Sequence, residues 1–201
     1  MAAKAVTLSM SRVISKTPRL ILRLATPGDA LFICRLWNDP RVMSFVGFPS
    51  GLSETEENMR ANIKKRGDSE FRQLLIIALK ENNQTIGQCK MELPNLDGIS
   101  ETDVKLLPEF WGQHYGVEIK RALLDYLFAH TDCRVVQATP NVSNTASIRM
   151  QEAVGGVRVD EGLSEFPESM RSHTVPVHYF VYQVARDYWL KEQGKGCANV
   201  K

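Results

Sequence analysis

The chain lacks closely spaced cysteines, long apolar runs and a strong net charge. Its 201 residues include four cysteines, none of them in a C-x-x-C pair or a zinc-finger spacing. Neither a disulfide scaffold nor a structural zinc site is therefore predicted. No apolar stretch approaches the ~18 residues that a membrane span needs. A net charge of +2 favours neither a nucleic-acid partner nor a membrane partner.

The size and composition are typical of one ordinary domain. With 43% hydrophobic and 24% charged residues, the chain can bury a core without disulfides or metals. Cys34, Cys89 and Cys133 are predicted to be buried, reduced thiols of a cytoplasmic protein, with Cys197 in a tail. The four histidines show no ligand spacing, so no metal is expected.

Three parts of the chain are predicted. Residues 17–190 form the single domain, and 191–201 a C-terminal tail. Residues 1–16 form an N-terminal arm or a short extra strand. Their basic, serine-containing composition also overlaps with that of organelle transit peptides.

Apolar periodicity predicts an α+β domain with the order β-α-α-β-β-β-α-β-α-β-β. Helices are predicted to begin at the capping residues Thr26, Ser53 and Asn144 and after Gly116. The helix after Gly116 is expected to turn Lys120 outward. The helix after Asn144 is expected to bury Ala146, Met150, Ala153 and Val154. Strands are predicted at residues 19–24, 74–80, 85–91, 101–107, 134–139, 157–160 and 177–184.

Two glycines flank the start of one predicted helix. In the stretch WGQHYG, Gly112 and Gly116 precede an amphipathic run. One interpretation is a tight turn that needs a positive φ angle. The other is an anion cradle, in which the free N–H groups at a helix N-terminus face a phosphate. The glycine pattern alone leaves both interpretations open.

Four segments in this order resemble the GNAT superfamily of N-acetyltransferases. They are TPRLILR, WNDPRV, LLPEFWGQHYGVEIKRALLDYLF and NTASIRMQEAVGG, and the resemblance runs from about residue 17 to 189. It is strongest to the ribosomal-protein N-terminal acetyltransferases of the RimJ/RimL type. The implied fold is a mostly antiparallel, twisted sheet of about seven strands flanked by helices. Its fourth and fifth strands, here 104–107 and 136–139, would part to hold CoA.

The resemblance also implies a site for acetyl-CoA, the acetyl donor. Backbone amides of the loop after the fourth strand would hold the pyrophosphate, and the parted strands would hold the pantetheine arm. Trp111 and His114 depart from the family pattern Arg/Gln-x-x-Gly-x-Gly/Ala. The implied CoA-binding residues are Leu106, Leu107, Gly112, Gln113, His114, Tyr115, Gly116 and Asn144.

Acetyl transfer needs a proton acceptor for the amine and a partner for the leaving thiolate. Glu101 and Glu92 are the preferred candidates for the acceptor, ahead of Asp103. Gln151 stands where many superfamily members have a tyrosine acid. The RimJ/RimL resemblance assigns the thiolate role to Ser147 instead. Each of these side chains also has a purely structural interpretation, a surface charge or a first-turn helix residue.

Two functions remain open from the sequence. The first is acetyl-CoA-dependent N-acetylation of a primary amine, on a peptide N-terminus or a small molecule. The second is a GNAT-fold protein that binds CoA or a partner with little or no catalysis. The loops 45–55 and 163–177 are expected to select the acceptor, with Phe45, Phe48 and Phe166 lining a pocket or only packing. A homodimer is compatible with either function.

Overall fold

The computed structural model describes residues 11–67 and 69–198, with side chains as far as residue 192. Helices lie at α1 (Ala30–Trp37), α2 (Pro40–Met43), α3 (Glu56–Lys65), α4 (Tyr115–His130), α5 (Thr145–Glu152) and α6 (Arg186–Ala198). Strands lie at β1 (Val13–Lys16), β2 (Leu20–Leu24), β3 (Leu75–Leu79), β4 (Thr85–Met91), β5 (Ile99–Leu106), β6 (Val135–Ala138), β7 (Val157–Ser164) and β8 (Val177–Ala185).

The strands form one sheet in the order β1-β2-β3-β4-β5-β6-β8-β7. Every neighbouring pair is antiparallel except β5 and β6, which run parallel. All seven predicted strands are present, so the predicted α+β architecture is confirmed. The additional strand, β1, lies within the predicted N-terminal arm, whose residues 1–10 are outside the described part of the chain. Helix α6 covers part of the predicted tail as far as residue 198.

Two helix starts differ from the prediction. Residues Pro27–Asp29 form a 3-10 turn before α1, although the Asp29 carboxylate accepts from the Thr26 amide at 2.7 Å as a capping box requires. Ser53 is not the cap of α3, because its backbone is left-handed at φ 52°. Thr55 caps that helix instead, with its hydroxyl oxygen 3.2 Å from the Asn58 amide nitrogen.

The core lies between α4 and the sheet, and α4 buries more of its surface than its sequence predicts. Ile119, Leu123 and Leu127 are buried as expected. Lys120 is buried as well, with 1% of the residue exposed, so its predicted outward position is wrong. It belongs to a second buried stripe with Leu124 and Phe128, at intervals of four residues. Because α4 contacts both β5 and α5, two of its faces are covered.

Helix α5 divides its inner surface between the core and a cleft. Val154 is buried as predicted. The helix ends at Glu152 with Ala153 as its C-cap, and Gly155 lies two residues further on in a left-handed turn with φ +79°, one residue beyond its predicted place. Ala146 and Ala153 are exposed and line the cleft, so their predicted burial is wrong. Gln151 occupies the core-facing position with 3% of its surface exposed.

Candidate active site

A cleft opens where β5 and β6 part. The two strands pair only over residues 99–101 and 135–137. Beyond this point β5 continues to Leu106 paired with β4 alone, which leaves its other edge free. The cleft has a volume of about 930 Å³, and the first turns of α4 and α5 form part of its walls. The predicted splayed pair of strands is therefore present.

The loop before α4 directs a run of amide donors into this cleft. Gly112 has φ +74°, and His114, at the N-cap position, has φ +62°. Among the described residues, the N–H groups of residues 112–117 donate to no backbone carbonyl and no side chain. The amide of Glu118, the next residue, is bonded: its nitrogen lies 3.2 Å from the His114 carbonyl oxygen. Unpaired amides at a helix N-terminus form an anion site.

Both interpretations of the glycine pair are partly correct. Positive φ is required at Gly112, but Gly116 lies inside the first turn of α4 and has no positive φ. At Gly116 a Cβ atom would meet the Met150 sulfur at 3.1 Å. The missing side chain at residue 116 thus lets α5 approach the start of α4. His114 adopts a left-handed conformation that is unusual for a residue with a side chain.

Arg19 supports this loop from the N-terminal side of the domain. Its Nη1 donates to the Gln113 carbonyl at 3.1 Å, and its guanidinium lies 4.4 Å from the centre of the Tyr115 ring. Its Nε donates to the Glu118 carboxylate at 2.6 Å. Burial alone would raise the pKa of Glu118, but hydrogen bonds from Thr17 and Arg19 lower it overall. This role of Arg19 was not predictable from local sequence patterns, because its contacts with Gln113 and Glu118 join residues about a hundred positions apart.

The cleft brings together most of the predicted CoA-binding residues. Leu107 is not among them, because it is 2% exposed and packs in a cluster with residues of α1 and α2. Gln113 also does not line the wall, and its side-chain amide donates to the Glu109 carbonyl at 3.2 Å. Its predicted role belongs to its backbone N–H, which has no acceptor among the described residues. The predicted residues on the wall are Leu106, Gly112, His114, Tyr115, Gly116 and Asn144.

Trp111 occupies part of the free edge of β5. Its indole N–H donates to the Leu106 carbonyl at 2.9 Å, although the ring is 43% exposed. That carbonyl was expected to lie along the pantetheine arm. The departure from the family pattern at residue 111 therefore fixes the end of β5 with a side chain of the chain itself.

The start of α5 is capped by its own side chain. The Asn144 Oδ1 accepts from the Ser147 amide at 3.0 Å. Ser147 is half-buried on the cleft wall, one turn from Asn144. Gln151, one turn further, also lines the cleft.

The candidate carboxylates lie together at the other end of the cleft. The Glu92 amide donates to the Glu101 carbonyl at 2.9 Å, so the two residues are neighbours. The Glu92 carboxylate is held by Arg72 at 3.0 Å and also by Lys90. Asp103 is paired with Lys105. Glu101 is exposed, and within the described residues its carboxylate accepts one hydrogen bond, from the Gln137 amide at 3.4 Å.

The two loops expected to select the acceptor pack against each other. The rings of Phe48 and Phe166 meet edge to face with centroids 5.2 Å apart. The Val175 amide donates to the Gly47 carbonyl at 2.9 Å. Phe45 differs from these residues, because it lines the cleft. Phe48 and Phe166 thus form a packing pair, and Phe45 contributes an aromatic wall.

A buried lysine lies where β5 and β6 part. Lys120 lines the cleft, and its Nζ donates to the Thr102 Oγ1 at 2.6 Å. The Thr102 hydroxyl in turn points to the Gln137 carbonyl at 3.5 Å, immediately beyond the last strand pair. Burial lowers the pKa of Lys120 from 10.5 to about 7. The apolar periodicity that placed Lys120 outside gave no signal of this position.

Within residues 11–67 and 69–192, whose side chains the structure describes, no group of three or more histidine, cysteine, aspartate or glutamate side chains could hold a metal. Over the same residues, no helix has both the length and the apolar character to cross a membrane.

Comparison with known proteins identifies the family. An uncharacterized N-acetyltransferase, p20 of Bacillus licheniformis, is 25% identical over 82% of this chain and 92% of its own length. The spermidine N-acetyltransferase of Vibrio cholerae, solved with CoA and spermine, has a TM-score of 0.69 at 20% identity, covering 85% and 98% of the two chains. The ribosomal-protein-S5-alanine acetyltransferase of Vibrio fischeri has a TM-score of 0.70 at 14% identity, covering 87% and 97%. Residues 19–157 match the profile of the GNAT acetyltransferase domain, and the chain therefore belongs to the GNAT acetyltransferase family.

Proposed function

We propose that the chain transfers the acetyl group of acetyl-CoA to a primary amine. The observation that carries this proposal is the run of unpaired amides at residues 112–117, which faces a cleft between two parted strands. The amides suit the pyrophosphate of CoA, and the free edge of β5 suits a peptide-like pantetheine arm. Membership of the GNAT acetyltransferase family supports the same donor.

The residues at the mouth of the cleft fit an anionic ligand. At Gly112 a Cβ atom would meet nothing within 4 Å, so the backbone there is open to close approach. The nearest acid on α4, Glu118, is neutralised by Arg19 at 2.6 Å. Arg149 of α5 and His114 add side chains of basic type to the wall. The binding roles of Leu106, Gly112, His114, Tyr115, Gly116 and Asn144 are part of this proposal.

The reaction is direct attack of the amine on the thioester carbonyl. Holding the two reactants in line removes roughly 7–11 kcal/mol of the barrier when orientation is good. Glu101 is the first candidate to receive the amine proton, because its carboxylate is the least engaged of those on the wall. Glu92 is the second candidate. Ser147 is proposed to donate its hydroxyl hydrogen bond to the departing thiolate.

We propose an acceptor of the kind that RimJ/RimL-type enzymes use, the α-amine of a peptide. The structural neighbour that acetylates ribosomal protein S5 has an alanine acceptor according to its name, and the neighbour solved with spermine has a polyamine. Phe45 on the cleft wall gives the acceptor end an apolar surface, which favours an amine attached to a peptide or an apolar group over a highly charged polyamine. A cytoplasmic location and a homodimer remain predictions.

Two measurements test the proposed function. Thermal-shift titration with acetyl-CoA reports donor binding, with an expected rise in melting temperature that saturates. Release of free CoA thiol, followed over a panel of peptides, polyamines and small amines, then reports transfer. Saturable binding with turnover on at least one amine supports the proposal. Binding without turnover over the whole panel would favour the alternative, a CoA-binding protein with little or no catalysis.

A further inference from the structure

Lys120 lies on the wall of the cleft, and its hydrogen bonding is that of an uncharged amine. A lysine ammonium carries three donors. In the described part of the chain, the Lys120 Nζ makes a single hydrogen bond, to the Thr102 Oγ1. A charged Nζ in this place would leave two donors unpaired in a buried position, which is costly. A neutral amine instead keeps a lone pair that can accept a proton.

Among the described residues, no acid forms a hydrogen bond or ion pair with Lys120. Burial is the cause of its lowered pKa. Thr102, its partner on β5, is neutral, while Glu101 and Asp103 alternate to the opposite face of that strand. Beside Thr102 on the same face, Ser100 has a buried hydroxyl with no hydrogen-bond partner among the described residues.

Apart from Glu101, the other charged groups on the cleft wall are paired or lie at the start of α4 and along α5. On β4, Lys90 is paired with Glu92. On β5, Lys105 is paired with Asp103. Towards the start of α4 and along α5, the wall carries His114, Tyr115 and Arg149. The pKa of Lys120 is lowered by burial and not by any of these groups.

The place of Lys120 in the cleft suits proton transfer. It lies at the last paired residues of β5 and β6, where the thioester of a donor threaded between these strands would end. We propose that Lys120, in place of Glu101, is the catalytic proton carrier, whose uncharged Nζ accepts the proton of the attacking amine and then returns it to the departing thiolate. This inference rests on the proposed acetyl transfer.

The proposed step balances without another reactant. The amine nitrogen forms a bond to the acetyl carbon, and the bond from that carbon to sulfur breaks. One proton passes from the amine nitrogen to the Lys120 Nζ, directly or through one water, and then from Nζ to sulfur. The products are the acetylated amine and the CoA thiol, and Lys120 returns to its uncharged form. A group with a pKa near 7 can serve both transfers near neutral pH.

The first test compares Lys120→Met, Lys120→Arg and the control Lys80→Met. Lys80 is exposed in the turn between β3 and β4, away from the cleft. We measure kcat at saturating amine and acetyl-CoA from pH 5.5 to 9.5. For the wild type and the control, kcat is expected to rise with pH and level off above about 7. Both Lys120 variants are expected to lose on the order of 100-fold in kcat and the rise near pH 7.

The dissociation constant of acetyl-CoA is measured for the same variants. It is expected to stay within about 3-fold of the wild type, because a proton carrier does not hold the donor. A Lys120→Met variant with kcat within about 3-fold of wild type, or with an unchanged pH profile, would overturn the inference alone. A wild-type protein that transfers to no amine would overturn the proposed function and the inference together.

A direct titration gives a readout that does not depend on turnover. In protein carrying isotope-labelled lysine, the NMR signal that disappears in Lys120→Met is expected to titrate near pH 7. A titration above about pH 9 would overturn the inference. So would acetylation of Lys120 itself when acetyl-CoA is added without an amine, detected by mass spectrometry, because Lys120 would then be an acceptor and not a proton carrier.

Discussion

The first turns of α4 and α5 face the same cleft but treat their backbone donors in opposite ways. In α5, the Asn144 side chain accepts from the Ser147 amide. In α4, the N-cap residue His114 makes no capping bond, and the amides around it have no acceptor in the described chain. The side chain of Asn144 thus satisfies part of the donors at the start of α5, whereas the donors at the start of α4 are available to a ligand.

The difference extends to the single polar residue that each helix buries. Near the cleft, α4 buries Lys120 and α5 buries Gln151. Glutamine is neutral at every pH, so its burial costs the same throughout. Lysine must lose its proton to be buried cheaply, which makes α4 sensitive to pH. Both the unpaired amides and the buried titratable side chain thus belong to α4 and the loop before it.

The largest expected effect comes from placing a negative charge in the first turn of α4. Gly116→Asp is expected to weaken CoA binding on the order of 1000-fold, since two like charges about 4 Å apart repel by about 4 kcal/mol at an effective dielectric constant of 20. Isothermal titration of CoA measures the change. Gly116→Ala separates charge from volume, because its Cβ meets only the flexible Met150 side chain. It should cost less than about 10-fold.

The matching change in α5 sharpens this comparison. Thr145→Asp puts the same charge at the first residue of α5. A much smaller loss of CoA affinity is expected, because the donors of α5 are partly satisfied by Asn144. Equal losses for Thr145→Asp and Gly116→Asp would show that the two helix starts do not differ as proposed.

The next effect is a pH-dependent change in stability. Lys120 has a pKa of 10.5 in the unfolded chain and about 7 when folded. Between these values only the unfolded chain binds the proton, so the free energy of unfolding rises with pH. Lys120→Met removes this dependence. Its stabilising effect should be about 4 kcal/mol larger at pH 6.5 than at pH 10.

Urea unfolding at several pH values measures this effect. Gln151→Met is the matched control in α5, since it removes a buried polar group that does not titrate. Its effect on stability should not vary with pH between 6.5 and 10. A Lys120→Met difference that stays constant over this range would mean that Lys120 is buried in the same charge state as in the unfolded chain.

A smaller kinetic effect is expected at the start of α5. Ser147→Ala should reduce turnover on the order of 100-fold with little change in CoA affinity, because the thiolate would lose a hydrogen-bond donor when it departs. Turnover is measured at saturating amine. The Ser147 amide, which bonds to Asn144, is retained in this variant. If turnover is unchanged, the Ser147 hydroxyl has no part in the reaction, and the residue contributes only to the first turn of α5.

The smallest effect concerns the two caps themselves. Asn144→Ala should lower the free energy of unfolding by about 1 kcal/mol, because an N-cap bond is lost. His114→Gly should leave it unchanged or raise it by less than about 1 kcal/mol, since glycine accepts the left-handed backbone at φ +62° without strain. Chemical unfolding measures both. A large destabilisation by His114→Gly would mean that its side chain holds the loop.

The order of strands and helices was predictable because apolar period, caps and glycines act within a few residues of one another. The seven strands and the left-handed turn at Gly155 after α5 followed from such local signals. Boundaries were less certain, as at Ser53, where the side chain of Thr55 makes the cap instead. The stretch from 111 to 116 was predicted to be a binding loop from its glycines and its resemblance to the family, and most of its residues line the cleft. The role of Arg19 was not predicted, because its contacts are distant in sequence.

The sequence by itself determined the family, the order of elements and the glycine-flanked loop before α4, since these depend on local conformational preferences and a recognisable pattern. Tertiary structure decided which polar side chains are buried and which line the cleft. Lys120 lies inside because α4 is covered on two sides, by β5 and by α5, and a single helical period predicts only one covered face. Leu107 left the predicted site because α1 and α2 cover it. Burial, and with it the charge state of a lysine, depends on elements that meet only when the chain has folded.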